Sequence, residues 1–190
     1  MAYYTKEELK KLNFKFVGNN VKISDKASIY NHENIEVGDN SRVDDFCMVS
    51  GRIIIGKNVH ITPGCLIAGG EKGIFFEDFT TVAYGVQIFT QSDDYSGQTM
   101  TNSTIPKKYK NEYKKEIVIA KYSIIGARSI IMPGVTLAEG TSVGAMTLVL
   151  NSTKPWGIYV GCPAKRVKDR SKDMLKKVEQ YIEGSSSDTI

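Results

Sequence analysis

The groups able to do chemistry are few and unevenly spread. The 190 residues hold two imidazoles, His32 and His60, three thiols, Cys47, Cys65 and Cys162, and, among the adjacent carboxylates, the pair Asp93-Asp94. Two His cannot make the three-His zinc site of a metal hydratase, and the three Cys contain no CxxC spacing, so no metal centre is expected. An odd, scattered set of Cys fits a reducing compartment. Asp93 and Asp94 open a polar stretch, Gln91 to Glu116, rich in Ser, Thr, Asn, Tyr and Lys. Carboxylates that begin a loop either form Asx turns or, when left free, take or hold a proton. His60 precedes Ile61, and strand alternation turns it outward if Ile61 points in. His32 reads as a surface residue.

The cations are spread rather than gathered. The formal net charge is +4, with 41% hydrophobic and 24% charged residues, which is a globular and not a disordered composition. Residues 105–116 hold five Lys against two Glu, and Lys165, Arg166 and Lys168 follow Gly161-Cys162-Pro163-Ala164. No single basic face with interleaved aromatics is present, so nucleic acid is not an expected partner. Apolar runs are too short to cross a membrane, and residues 1–20 lack the apolar segment of a secretory signal, which points to the cytoplasm.

These residues are positioned by a repeat. Aliphatic side chains recur every six positions at Val37, Val43, Val49, Ile55, Ile61 and Ile67, then at Phe76, Val82 and Ile88, then at Ile119, Ile125, Ile131, Leu137, Val143 and Val149. Val21 and Ala27 read as an earlier, worn coil. A sustained period of six belongs neither to a helix nor to a lone strand but to a solenoid of short strands and turns. Thr62-Pro63-Gly64 and Met132-Pro133-Gly134 supply the turn chemistry, with Pro fixing one φ and Gly providing a positive one. Gly38, Gly56, Gly126 and Gly144 stand where successive coils must approach closely. The expected organisation is an N-terminal segment over 1–20 with a short helix capped by Thr5 and Glu8. The solenoid then spans 21–160, interrupted by the excursion 91–116. A C-terminal turn, helix and tail occupy 161–190, with a helix over about 171–182 stopped by Gly184 and a disordered end from Ser185.

The hexads, the long loop after the ninth of them and the Gly161-Cys162-Pro163-Ala164-Lys165 turn resemble the hexapeptide-repeat acyltransferases, above all the bacterial sugar and nucleotide-sugar acetyltransferases. The resemblance implies a left-handed parallel β-helix, a homotrimer and acetyl-CoA bound between neighbours. It also implies that Ala127, Gly144 and Ala145 line the cofactor's pantetheine arm and that Lys165, Arg166 and Lys168 meet its phosphates. Many members carry a catalytic His at the mouth of the loop; here Asp93 stands there. A hydroxyl needs a base to become a nucleophile, whereas an amine with a pKa of about 8 is already about a tenth free at pH 7. Asp93 therefore points to an amine, and the expected activity is acetyl-CoA-dependent N-acetylation of a nucleotide-linked amino-deoxy sugar for a surface polysaccharide such as lipopolysaccharide O-antigen or capsule. His60 is the second catalytic candidate, as an orienting partner of Asp93 or as base of a sugar O-acetyltransferase. A non-catalytic β-helix binding module is the third reading.

Overall fold

The computed structural model describes residues 2–187, and side chains through residue 184. It is an all-β parallel solenoid of six complete coils, with three faces joined by three corners. The first face stacks the strands Phe16–Val17, Ile35–Val37, Ile53–Ile55, Ile74–Phe76, Ile117–Ile119 and Thr136–Leu137. The second runs through Lys22–Ile23, Arg42–Val43, His60–Ile61, Thr81–Val82, Ile124–Ile125 and Ser142–Val143, and ends on Gly157–Val160 and Lys165–Asp169. The third holds Ser28–Ile29, Met48–Ser50, Leu66–Ala68, Gln87–Phe89, Ile130–Ile131 and Leu148–Val149.

All fifteen hexad residues from Val37 to Val149 point inward and are at most 3% exposed. Each buried Val, Ile or Leu contributes about 1.5–3 kcal/mol, and only stacking makes that burial available, because a single coil has no interior. On the first face a second inward residue, Ile35, Ile53, Ile74 or Ile117, widens the core. The earliest coil departs from the expected register. The residues in register with Val37, Val43 and Val49 are Val17, Ile23 and Ile29, while Val21 and Ala27 occupy the turns between faces, Ala27 buried in the core and Val21 packed against it. The solenoid thus starts at Phe16, ahead of the boundary at residue 21. The step from Ile29 to Val37 is eight residues because a 3-10 turn, His32–Asn34, interrupts it.

Gly64 and Gly134 take φ of +77° and +84°, the left-handed values that the Pro-Gly turns call for. Both ends of the apolar column are plugged. At the start, α1 (Lys6–Lys11) carries a complete Thr5–Glu8 capping box and buries Leu9. At the far end Trp156 and Tyr159 are buried, and the chain turns back through Gly161 into the antiparallel strand Lys165–Asp169. The basic triplet therefore lies on a strand, not on an approach to a helix.

The second helix, α2 (Met174–Ser187), begins three residues later than expected and passes through Gly184. A Gly near a helix end costs only about 1 kcal/mol relative to Ala, too little to stop it. Of the segment expected to be disordered, Ser185–Ser187 is helical backbone, and residues 188–190 lie outside the described residues. Arg170 fastens the start of α2 by donating to the carbonyls of Tyr122 and Gly140, 2.6 and 3.1 Å away. Farther along, Tyr181 donates to Asn58 at 2.9 Å and sets its ring edge-on against Phe79. No helix among the described residues is long and apolar enough to cross a membrane.

Candidate functional site

The excursion after Phe89 is a built arm. Its stalk is a two-stranded antiparallel pair in which Gln91 faces Lys114 and Ser92 faces Tyr113. Glu112 bridges Lys110 at 2.7 Å and Lys114 at 2.9 Å, and Lys110 also donates to the carbonyl of Asn102. These contacts to Lys110, then Lys114, pull the Glu112 carboxyl down to about 2.

The two aspartates at the stalk have separate tasks. Asp94 accepts hydrogen bonds from the Ser96 N–H, the Thr99 N–H and the Thr99 hydroxyl. The bonds from Ser96, then Thr99, hold its pKa at about 2. A carboxyl shifted below its free value favours the ordered arm above pH ~4, and that contribution is lost as pH falls toward 2. Asp94 is thus a structural acceptor and a poor base. Asp93 is half-buried and takes one weak bond, from the Asn102 N–H at 3.3 Å. It lines an open cleft of about 410 Å³ with Tyr95, Asn111, Tyr113, Lys114 and Lys115, and with Asp94 and Glu112, whose carboxylates are already spent on partners within the arm. Of the pair, Asp93 retains the free acceptor capacity.

A second cleft of about 350 Å³ shares Lys114 and Lys115 with the first and adds Lys72, Glu116, Gly134 and Thr136. Lys114 is spent on Glu112, which leaves Lys72 and Lys115 as the cations without a salt bridge among the described residues. Lys115 rests over the Tyr113 ring at 5.3 Å.

His60 does stand on the outward side of the second face, between Arg42 and Thr81. Its Nε2 lies 2.9 Å from Asp44, whose side chain is 2% exposed and also accepts from Arg42 and Tyr3. Among the described residues no contact joins His60 to Asp93, since the arm leaves the third face. The Asp44 cluster was missed in the sequence; the 18-residue spacing of Arg42 and His60, one coil apart, was its only signal. Cys47 and Cys65 are buried, with their Sγ atoms directed at the carbonyls of Thr62 and Ala83.

The corners separate the remaining candidates. At the corner between the first and second faces, the outward N–H groups of Asn19, Lys57 and Lys121 are each capped by a carboxylate from another coil, Asp39, Asp78 and Glu77. At the equivalent turn position between the second and third faces stand Tyr84, Ala127 and Ala145, stacked in coils four, five and six. The carbonyls of Tyr84 and Ala127 accept from the N–H of the next turn up, Arg128 at 2.9 Å and Met146 at 2.8 Å. Their own N–H groups have no partner among the described residues. This is a ladder of open donors, and it suits a ligand with regularly spaced carbonyls. It ends below at Pro63, which has no N–H. Gly126 and Gly144 make it possible: a Cβ on Gly126 would lie 2.4 Å from the Ala145 nitrogen, and one on Gly144 would lie 2.8 Å from Val160. The Gly144 N–H is spent on the Tyr159 carbonyl at 2.8 Å, so the open amide beside it is that of Ala145. Within the basic triplet, Arg166 is paired with Asp169 at 2.8 Å, whereas Lys165 and Lys168 are exposed.

Comparison with known proteins follows the same lines. The profile of the bacterial transferase hexapeptide (six repeats) family matches residues 34–69. A dTDP-4-amino-4,6-dideoxy-D-glucose acyltransferase from Escherichia coli is 40% identical over 193 residues, covering 100% of both chains. The crystal structure of AntD, an N-acyltransferase from Bacillus cereus, in complex with dTDP and 3-hydroxybutyryl-CoA, superposes with a TM-score of 0.95 at 41% identity over 97% of this chain and 98% of that one. A variant of AntD with one serine changed to cysteine, in complex with dTDP-4-amino-4,6-dideoxyglucose and coenzyme A, matches with a TM-score of 0.94 at 42% identity, over 96% of this chain and 97% of that chain.

Proposed function

The chain belongs to the hexapeptide-repeat acyltransferases, and from that membership and its site we infer a CoA-thioester-dependent N-acyltransferase acting on a nucleotide-linked amino-deoxy sugar. The observation that carries the reading is the division of labour between the stalk aspartates. Asp94 is consumed in building the arm, and Asp93 is presented to a cleft with its acceptor capacity free.

The chemistry assigned to the chain is modest. Asp93 holds the acceptor's nitrogen, and the fraction that has already lost its ammonium proton to solvent attacks the thioester carbonyl as the free amine. The new C–N bond forms as the C–S bond breaks, the nitrogen gives a proton to Asp93, and the sulfur departs with the electron pair to become the free thiol once protonated. The open amides of Ala127 and Ala145 receive the carbonyls of the pantetheine arm, and Lys165 and Lys168 lie beyond them toward the phosphates. The acyl group is acetyl in this reading, and the acceptor is a dTDP-linked 4-amino sugar, as in the relatives' names. Lys72 and Lys115 are placed to meet its diphosphate.

Three chains are needed to complete the site, because the arm with Asp93 and the amide ladder rise from different corners of one protomer. A homotrimer, a cytoplasmic location and a role in lipopolysaccharide or capsule assembly complete the proposal. Light scattering should return three times the 21.1 kDa chain mass; a monomer at micromolar concentration contradicts the assembly.

The direct test is thiol release from acetyl-CoA against dTDP-4-amino-4,6-dideoxyglucose, its 4-hydroxyl counterpart and the free amino sugar. Turnover confined to the nucleotide-linked amine is expected; turnover of the hydroxyl compound instead returns the O-acetyltransferase reading. Lys72→Ala with Lys115→Ala should raise KM for the nucleotide sugar about tenfold and leave KM for acetyl-CoA unchanged. Equal KM values in wild type and variant remove the two lysines from the acceptor site.

A further inference from the structure

The open amides number three, and the third belongs to a residue with a large side chain. Resting on the acyl-CoA reading of the groove, we propose that Tyr84 sets the length of the acyl group the enzyme accepts, restricting it to acetyl.

Adjacent coils are spaced about 4.8 Å apart, so the N–H groups of Ala145, Ala127 and Tyr84 recur at that interval. An acylated pantetheine arm also carries three carbonyls in line. Four bonds separate the first from the second and five the second from the third, roughly 5 and 6 Å at about 1.2 Å per extended bond. With the phosphates at the Lys165 end, the first two carbonyls fall on Ala145 and Ala127, and a gauche bond beside the sulfur, which also shortens the 6 Å step, turns the thioester's carbonyl to Tyr84. That level is also the coil from which the arm with Asp93 departs, nine residues farther along the chain.

Side-chain size changes along the same ladder. Ala145 and Ala127 leave the groove open, whereas the Tyr84 ring stands 63% exposed at its lower end. The turn under that ring is fixed, because the Tyr84 carbonyl accepts from Arg128 and the Gly85 N–H donates to Pro63 at 3.1 Å. The substituent on the third carbonyl projects over the ring and toward Pro63, where the donors stop. On this proposal an acetyl methyl ends at the ring, and each further methylene must displace it. AntD in complex with 3-hydroxybutyryl-CoA holds a four-carbon acyl donor, so the fold itself does not dictate acetyl.

The experiment compares acetyl-, butyryl- and hexanoyl-CoA with dTDP-4-amino-4,6-dideoxyglucose for wild type, Tyr84→Ala and Tyr84→Phe. One methylene in a shaped pocket is worth about 10–200-fold. Wild type should therefore prefer acetyl over butyryl by tenfold or more in kcat/KM. Tyr84→Ala should shift the butyryl-to-acetyl ratio at least tenfold upward, and Tyr84→Phe, which keeps the ring, should not. An unchanged ratio in Tyr84→Ala, or a wild type that turns over butyryl-CoA as fast as acetyl-CoA, overturns the assignment while the acyltransferase reading stands. No thiol release by wild type from any of the three donors overturns both.

Discussion

Asp93→Asn should lower turnover by about a hundredfold or more, within the range expected for loss of a general base. The substitution preserves shape and the weak contact to the Asn102 N–H, so the arm keeps its form while the carboxylate's charge and proton capacity disappear. Asp94→Asn is the informative companion. That side chain accepts three bonds inside the arm, so its loss should loosen residues 94–102 and show as faster proteolysis there, with a smaller loss of turnover. His60→Asn should cost less than Asp93→Asn, because its Nε2 is already committed to Asp44. Residual turnover of Asp93→Asn should rise with pH as more of the acceptor amine loses its proton. A near-wild-type Asp93→Asn enzyme beside an inactive His60→Asn enzyme would transfer the role of base to the imidazole.

Gly126→Ala should be among the most damaging single methyls in the solenoid. The added Cβ would sit 2.4 Å from the Ala145 nitrogen and 2.6 Å from the Gly144 carbonyl carbon, and both are backbone atoms that cannot rotate away. Overpacking of this kind costs about 1–3 kcal/mol, and a chain of this size loses about 2–4 °C of melting temperature per kcal/mol. A fall of roughly 5–10 °C is expected by calorimetry, together with a raised KM for acyl-CoA, since the Ala145 amide is a member of the donor ladder. Gly184→Ala, where a Cβ meets nothing within 4 Å and helix propensity improves, is the control and should neither lower the melting temperature nor raise KM. If the two variants melt alike, the close approach of coils five and six is not the constraint it is taken for.

The hexads announced the solenoid because inward positions tolerate only one kind of residue and recur without variation from Val37 onward. The first coil hid because the step from Ile29 to Val37 breaks the period, so Val21 and Ala27 looked as good as Val17, Ile23 and Ile29. Asp93 and Asp94 are indistinguishable as letters; only the hydrogen bonds from Ser96 and Thr99 reveal which one the arm consumes. Arg166 reads like its neighbours Lys165 and Lys168 in the sequence, and only the structure sets Asp169, three residues on, 2.8 Å from it. The amide ladder leaves no mark on side-chain identity at all, apart from the two Ala that keep it uncovered. Tyr84 was passed over for that reason: its contribution at the turn is a backbone group.

The C-terminal helix changes how the molecule comes apart. A solenoid whose coils touch only their neighbours unravels piecemeal, each end fraying independently of the middle. Here Arg170 is joined to Tyr122 and Gly140, and Tyr181 reaches Phe79 and Asn58, so one helix is fastened to turns in coils three through six. Opening any of those coils strains the same strut, and the partial unfolding steps merge into one. Amide exchange across coils three to six should therefore report a single opening energy, and cutting the chain after Asp169, which removes Arg170 with the helix, should split it into several.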